Sequence, residues 1–168
     1  DTRGQQSLIG QDSGADGDGG DENENNGGSP SPAPARAPTL AAHTDAVFAV
    51  AVNATTPEIF ATGGGDDIGY MWRTGEAVPI CKLEGHTDTI SSLGFSADGT
   101  LLASAGLEGT VRVWHAATGA LVVALEGPTQ GINWLCWHAR GSVLMAGSED
   151  TTAWMWKLPE GTVMQIFS

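Results

Sequence analysis

Two histidines stand where general-base or metal chemistry could begin. His43 is followed by a hydroxyl residue, Thr62, and a carboxylate, Asp66, and His86 is followed at nearly the same spacing by Ser104 and Glu108. An imidazole beside a carboxylate can move a proton or hold a metal ion. What argues against both is recurrence. A set of side chains copied along a chain at a fixed interval belongs to the scaffold of a repeat, because an active site is needed once.

The interval is set by three tryptophans. Trp72, Trp114 and Trp156 lie 42 residues apart, each with an acid six positions earlier, Asp66, Glu108 and Asp150. Alignment on them brings Gly85-His86-Thr87-Asp88-Thr89-Ile90 over Gly127-Pro128-Thr129-Gln130-Gly131-Ile132. Ala42-His43-Thr44-Asp45-Ala46-Val47 aligns with a one-residue offset absorbed near Asn53–Glu58. Each unit holds four short stretches of strand-forming residues. In the second these are Ile90–Phe95, Leu101–Ala105, Thr110–Trp114 and Leu121–Leu125, separated by the turn signals Asp98-Gly99, Glu108-Gly109 and Thr118-Gly119. Connections this short leave no room for crossover helices, so neighbouring strands are expected to be antiparallel. The fold class expected is all-β: a partial propeller of three four-stranded blades, residues 39–84, 85–126 and 127–168.

Four-stranded units of this length with Gly-His near the start and Trp-Asp near the end define the WD-repeat propeller blade, and residues 39–168 resemble that family. The dipeptide itself departs, reading Trp72-Arg73, Trp114-His115 and Trp156-Lys157. The resemblance implies a buried hydrogen-bonded set in each blade: His43, Thr62, Asp66 and Trp72 in the first, then His86, Ser104, Glu108 and Trp114 in the second. The third keeps Asp150 and Trp156 but has Pro128 and Ala146 where His and Ser belong, so it is expected to be the least rigid. Such groups satisfy one another inside an apolar stack, and any one alone is costly. No catalytic residue, metal ligand or cofactor is assigned.

Residues 1–38 hold Asp12, Asp16, Asp18, Asp21, Glu22 and Glu24 among Gly, Asn and Ser, then Ser29-Pro30-Ser31-Pro32-Ala33-Pro34. A segment with so little apolar surface is expected to stay disordered. Three blades fall short of the four to eight that usually close a propeller, so the chain reads as the front of a longer protein or a truncated gene model. Thr39–Ala42 reads as an outer strand latching the last blade of such a ring. Alone, the arc would expose the apolar flank of its third blade and is expected to be poorly soluble or partly unfolded. Cys81 and Cys136 lack zinc spacing and read as buried free thiols. Low cysteine use and the lack of an 18-residue apolar run suggest a cytoplasmic or nuclear protein with no membrane span.

Acids outnumber bases 20 to 7. Blade topology puts Asp45, Asp66, Asp67, Glu84, Asp88, Glu108, Glu126, Glu149 and Asp150 on one rim, and no Lys or Arg with them. A solvated surface explains such a rim, and so does a docking face for a basic protein or peptide steered by a field of one sign. Nucleic acid does not fit as a direct partner, since its phosphates demand cations. The candidate contact residues are Asp45, Phe48, Asp67, Asp88, Ser91, Asn133, Trp134 and Glu149. Phe48 aligns with Ser91 and Asn133 at the rim, whereas Trp134 aligns with Ser92 and Ala49; packing between blades is the alternative for both aromatics. Gly63-Gly64-Gly65-Asp66-Asp67 looks like a nucleotide loop but aligns with a hairpin turn, and no phosphate-binding or nucleophile-elbow motif is present.

Within the WD-repeat family, His43-Thr44, Val47-Phe48, Trp134-Leu135-Cys136-Trp137-His138 and Trp154-Met155-Trp156-Lys157 are similar to one subgroup. Its fungal members act as chaperones of a basic large-subunit ribosomal protein, and its animal members are associated with cell migration and signalling. The resemblance implies a non-enzymatic binding scaffold. A ribosomal-protein client is favoured by the charge, a signalling adaptor is the alternative, and no homo-oligomer is expected for a complete protein. The Trp-Asp-x-Arg motif usual in ubiquitin-ligase receptors is missing from all three units.

Overall fold

The computed structural model describes residues 39–168. The tail, with its expected disorder, lies outside the described residues. Twelve strands form three antiparallel sheets, in the order β1-β2-β3-β4, β5-β6-β7-β8 and β9-β10-β11-β12. The first sheet has β1 Val47–Val52, β2 Ile59–Gly64, β3 Gly69–Arg73 and β4 Cys81–Leu83. The second has β5 Ile90–Phe95, β6 Leu101–Gly106, β7 Val111–His115 and β8 Leu121–Leu125, and the third has β9 Ile132–Trp137, β10 Val143–Ser148, β11 Ala153–Lys157 and β12 Thr162–Phe167. Thr39–Ala42 belongs to no sheet. The third strand of the second sheet starts one residue later than expected, because Thr110 closes the turn: its carbonyl accepts the Gly106 N–H at 3.0 Å. No helix among the described residues is long and apolar enough to cross a membrane.

Cross-strand register sorts each sheet into two apolar faces. One carries Ala51-Ala61-Met71-Cys81 in the first sheet and Gly94-Ala103-Val113-Val123 in the second. The other carries Phe95-Leu102-Trp114 in the second sheet and Trp137-Leu144-Trp156 in the third. The small-residue face of each sheet receives the aromatic face of the next. Ala61, Met71 and Leu83 pack on Leu102 and Trp114, and Ala103, Val113 and Leu125 pack on Leu144, Trp156 and Leu158. Small residues in the receiving face are required by distance. A Cβ on Gly63 would lie 2.5 Å from Ile90, and one on Gly94 would lie 2.9 Å from Leu135.

Polar links cross the same seams. The Asn53 amide donates to the Gly99 carbonyl at 3.0 Å, and the Trp137 indole donates to the Gly94 carbonyl at 2.8 Å. These seams also decide the cysteines. Cys81 is half-buried, and burial raises its thiol pKa. Cys136 is exposed, against expectation, because its row lies on the uncovered face of the third sheet.

The turn between the second and third strands needs a left-handed residue in every blade. Gly109 supplies it in the second at φ 90°, but Asp67 stands there in the first at 62° and Thr151 in the third at 71°. Asp tolerates this region, whereas a β-branched residue does not. Thr151→Gly is therefore expected to stabilise the chain by about 1 kcal/mol, net of the entropy glycine adds to the unfolded state, read as a higher melting temperature. Unchanged or lower melting would show the turn to be unstrained.

Candidate functional site

The rim where β1, β3, β5, β7, β9 and β11 begin is built by one contact made three times. The turn after the second strand donates a backbone N–H to the loop before the first: Gly65 to Ala46 at 2.9 Å, Leu107 to Thr89 at 3.0 Å and Glu149 to Gly131 at 2.9 Å. Beneath it sit the histidine sets. In the first blade Trp72 Nε1–H donates to Thr62 Oγ1 at 2.8 Å, and that hydroxyl lies 2.8 Å from His43 Nε2. His43 Nδ1 lies 2.9 Å from Asp66 Oδ1, and the Thr44 N–H donates to Oδ2 at 2.9 Å. The indole N–H donates to the hydroxyl, and the imidazole joins that hydroxyl on one side to the carboxylate on the other. In the second blade Trp114 donates to Ser104 at 2.9 Å, Ser104 lies 2.7 Å from His86 Nε2, and His86 Nδ1 meets Glu108.

Hydroxyl, imidazole and carboxylate in this order match a charge-relay nucleophile, but Ser104 is 0% exposed and its oxygen already accepts from an indole. No substrate atom can approach it. The carboxylates are held ionised. Burial opposes the charge on Asp66 and on Glu108, and hydrogen bonds from the histidines, with Thr44 N–H and Thr110 Oγ–H, outweigh it and lower both pKa values. The longer acid leaves Glu108 Oε2 enclosed and unpaired.

The third blade keeps the tie by another route. Thr152 donates through its hydroxyl and N–H to Asp150 Oδ1, and Thr129 donates at 2.7 Å (N–H) and 3.1 Å (hydroxyl) to Oδ2. These bonds, led by the Thr152 hydroxyl, push the Asp150 pKa down. The link onward to Trp156 is gone, and Trp156 instead stacks on Trp154 at 6.0 Å between centroids. Sequence reasoning missed Thr110, Thr129 and Thr152. The signal was there: a Thr two residues after the acid in the second and third units.

Phe48, Ser91 and Asn133 turn out to share a backbone feature. Each is the extra residue where register slips, between Val47 and Ala49, between Ile90 and Ser92, and opposite the Gly147/Ser148 shift. A bulge re-aims its side chain out of the pleat. Phe48 is 62% exposed, with its ring edge and the Asp45 carboxylate both about the Gly65 turn. Asn133 is exposed. Ser91 is not free for a partner, because its hydroxyl lies between the carbonyls of Ala105 and Ile132 and bridges two blades. Trp134 is 45% exposed and lies over Gly147, on the uncovered face rather than among the bulge residues.

Of the rim acids, Asp66, Glu108 and Asp150 are consumed by these ties. The expectation of a cation-free rim fails at one place. Lys82 Nζ sits 2.6 Å from Glu84 Oε1, since β4 brings the lysine beside the loop at its end, and the Arg112 guanidinium lies over Gly85. Asp45, Asp67, Asp88, Glu126 and Glu149 have no ion-pair partner among the described residues. Among those residues no three His, Cys, Asp or Glu side chains are placed to share a metal ion.

Antiparallel four-stranded sheets packed face to face, with this tie in each, are propeller blades. The chain carries WD40 repeats: the model of the family "WD domain, G-beta repeat" matches residues 77–115 and 119–157, each window running from an outer strand to the next tryptophan. The chain is 44% identical over 61 residues to a WD repeat-containing protein of Schizosaccharomyces pombe, covering 36% of the chain and 15% of the relative. It is 37% identical over 75 residues to the human angio-associated migratory cell protein, covering 45% and 17%. It is 33% identical over 73 residues to the ribosome assembly protein SQT1 of Saccharomyces cerevisiae, covering 42% and 17%. Each match therefore spans a small part of the relative's own length, 15% or 17% of it.

The lowered pKa values set a pH window. A carboxyl whose pKa is lower folded than unfolded stabilises fully above its unfolded value, 3.8 for Asp66 and 4.5 for Glu108, and loses that contribution as pH falls through the folded one. Melting temperature is expected to drop as pH falls below about 4.5, with a shallower drop in Asp66→Asn. Ser104→Ala strands an indole N–H and an imidazole nitrogen and should cost about 1–3 kcal/mol at neutral pH. A Ser104→Ala protein with wild-type melting would show that the network contributes nothing to stability.

Proposed function

We propose that the chain is a non-enzymatic protein-binding scaffold whose acidic rim holds a basic client, such as a large-subunit ribosomal protein before its assembly. One observation carries the reading: Asp45, Asp67, Asp88, Glu126 and Glu149 share a rim without cationic partners among the described residues. Phe48, turned outward by its bulge beside Asp45, adds an aromatic face on which an Arg or Lys can stack. The yeast relative is a ribosome assembly protein, which supports the client class. A cytoplasmic or nuclear location follows from that role, and the rim's sign disfavours direct contact with nucleic acid.

A signalling or cell-migration adaptor is the second reading, motivated by similarity to the angio-associated migratory cell protein. Capture of ribosomal proteins on the immobilised chain at about 0.1 M and at about 1 M salt separates the two, because the screening length shrinks from about 10 Å to about 3 Å. The expected result is retention of one basic ribosomal protein at low salt, release at high salt, and at least tenfold weaker retention by a combined Asp45→Lys, Asp88→Lys and Glu149→Lys variant. Retention that ignores both salt and charge reversal would overturn the acidic-rim reading. Capture of signalling proteins alone would favour the adaptor.

A further inference from the structure

The two covered seams differ at the rim opposite the acidic one, where β1, β3, β5 and β7 end. The residue two places after each repeat tryptophan donates its backbone N–H to the same kind of turn: Thr74 to Glu58 at 2.8 Å, Ala116 to Thr100 at 2.9 Å and Leu158 to Ser142 at 2.8 Å. Where the third sheet meets the second, that position is Leu158, which is 2% exposed and clusters with Leu101. Where the second meets the first it is Ala116, and the volume of the leucine is missing. Register puts Ile59 where the second sheet has Leu101, each opposite the residue that follows the tryptophan. Leu101 is buried, whereas Ile59 is only partly covered.

The result is a cleft of ≈ 550 Å³ between the first two blades, lined by Ile59, Ile80 and Ala116 with Arg73 and His115 beside them. Its two walls are tied to one another. The Asn53 amide and the Thr55 hydroxyl of the first blade donate to the Gly99 and Asp98 carbonyls of the second, at 3.0 and 3.4 Å. The acid that lines the cleft is already spent, because Asp98 Oδ1 accepts from the Ser96 and Thr100 hydroxyls at 2.7 and 2.8 Å and from the Thr100 N–H at 3.0 Å. The cations are not. Arg73 meets Glu76 only through Nε, at 3.5 Å, and His115 has no ion-pair partner among the described residues. A Trp-Asp dipeptide would set a carboxylate at each of these two places, so Trp72-Arg73 and Trp114-His115 change the sign of the cleft.

We propose that this cleft docks an acidic segment of a partner protein. An aliphatic side chain of the partner takes the place that Leu158 fills at the other seam, against Ile59, Ile80 and Ala116. A neighbouring carboxylate of the partner is held by the Arg73 guanidinium, whose planar fork accepts a carboxylate in two parallel bonds, with His115 beside it. An apolar recess with a few convergent polar groups is the ordinary form of a ligand site, and the volume lies within the usual range of about 300–1,000 Å³. The cleft opens on the rim opposite Asp45, Asp88 and Glu149 and calls for a ligand of opposite charge, so it does not rest on the client reading.

The test uses the purified 168-residue chain and a fluorescein-labelled Glu-Glu-Leu-Glu-Glu peptide blocked at both ends. Anisotropy is read at about 0.15 M salt, where exposed charges more than about 8 Å apart are largely screened. Saturable binding is expected, about tenfold weaker when glutamines replace the glutamates or glycine replaces the leucine. Ala116→Leu fills the cleft as Leu158 fills the other seam, and is expected to weaken binding about tenfold while the melting temperature holds or rises. Arg73→Glu, on a side chain that is 51% exposed, tests the same cleft without altering its packing and is expected to weaken binding at least as much. A peptide that does not saturate below about 1 mM overturns the proposal. So does binding that Arg73→Glu leaves unchanged, binding that persists in a folded Ala116→Leu chain, or binding indifferent to the leucine.

Discussion

A sheet with two apolar faces cannot stand alone, and every feature of this molecule answers to that constraint. In most antiparallel sheets one face meets water. Here Leu102 and Trp114 on one side of the second sheet, and Ala103 and Val113 on the other, are all buried. Each sheet must therefore be covered twice, and the only geometry that repeats indefinitely is face to face, aromatic side on small-residue side. The stack brings first strands side by side and gathers the loops of all blades on two rims. A rim is thus a by-product of covering the sheets, and whatever chemistry it bears is inherited from loop sequence.

The hydrogen-bonded sets belong to the same constraint. A loop that crosses the end of a sheet must be fixed without an apolar core of its own. A buried carboxylate that accepts loop donors does this, and His43 or His86 connects it to the indole of the third strand. Asp150 shows which part is indispensable. With Pro128 and Ala146 in place of His and Ser, threonines supply the donors and the loop is still held. The imidazole is one of several ways to satisfy the acid, and in the first two blades each histidine is spent on joining a loop carboxylate to the sheet.

The architecture was legible because a fixed interval leaves little freedom: tryptophan spacing, four strand stretches per unit and Gly at the turns agree with the twelve strands observed. What escaped was anything set by a neighbour in space. Ser91 resembles a surface residue in the alignment, and its bond to Ile132 exists only because the next blade is beside it. Cys136 aligns with a buried row, and its own exposure depends on whether another sheet covers the third. Glu84 and Lys82 are two apart on one strand end, and the rise of the strand, rather than rim topology, pairs them. The bulge at Phe48, Ser91 and Asn133 has no residue signature, because Phe, Ser and Asn share no backbone preference.

The acids of the turns divide into two populations by a single peptide step. Asp66 and Asp150 accept loop donors and are committed to the ties, while Asp67 and Glu149, their sequence neighbours, have no cation among the described residues. The committed member shapes the rim and its neighbour sets the potential, so fold and field are specified by adjacent residues and can vary separately. Like charges held on one rim repel, and that repulsion is concentrated by the folded arrangement. A cationic ligand would offset that repulsion through its attraction to the same carboxylates, and would stabilise the folded state by an amount set by its affinity and concentration. Because the unpaired acids are the neighbours of the committed ones, the field of the rim can be altered without disturbing the ties that hold its loops.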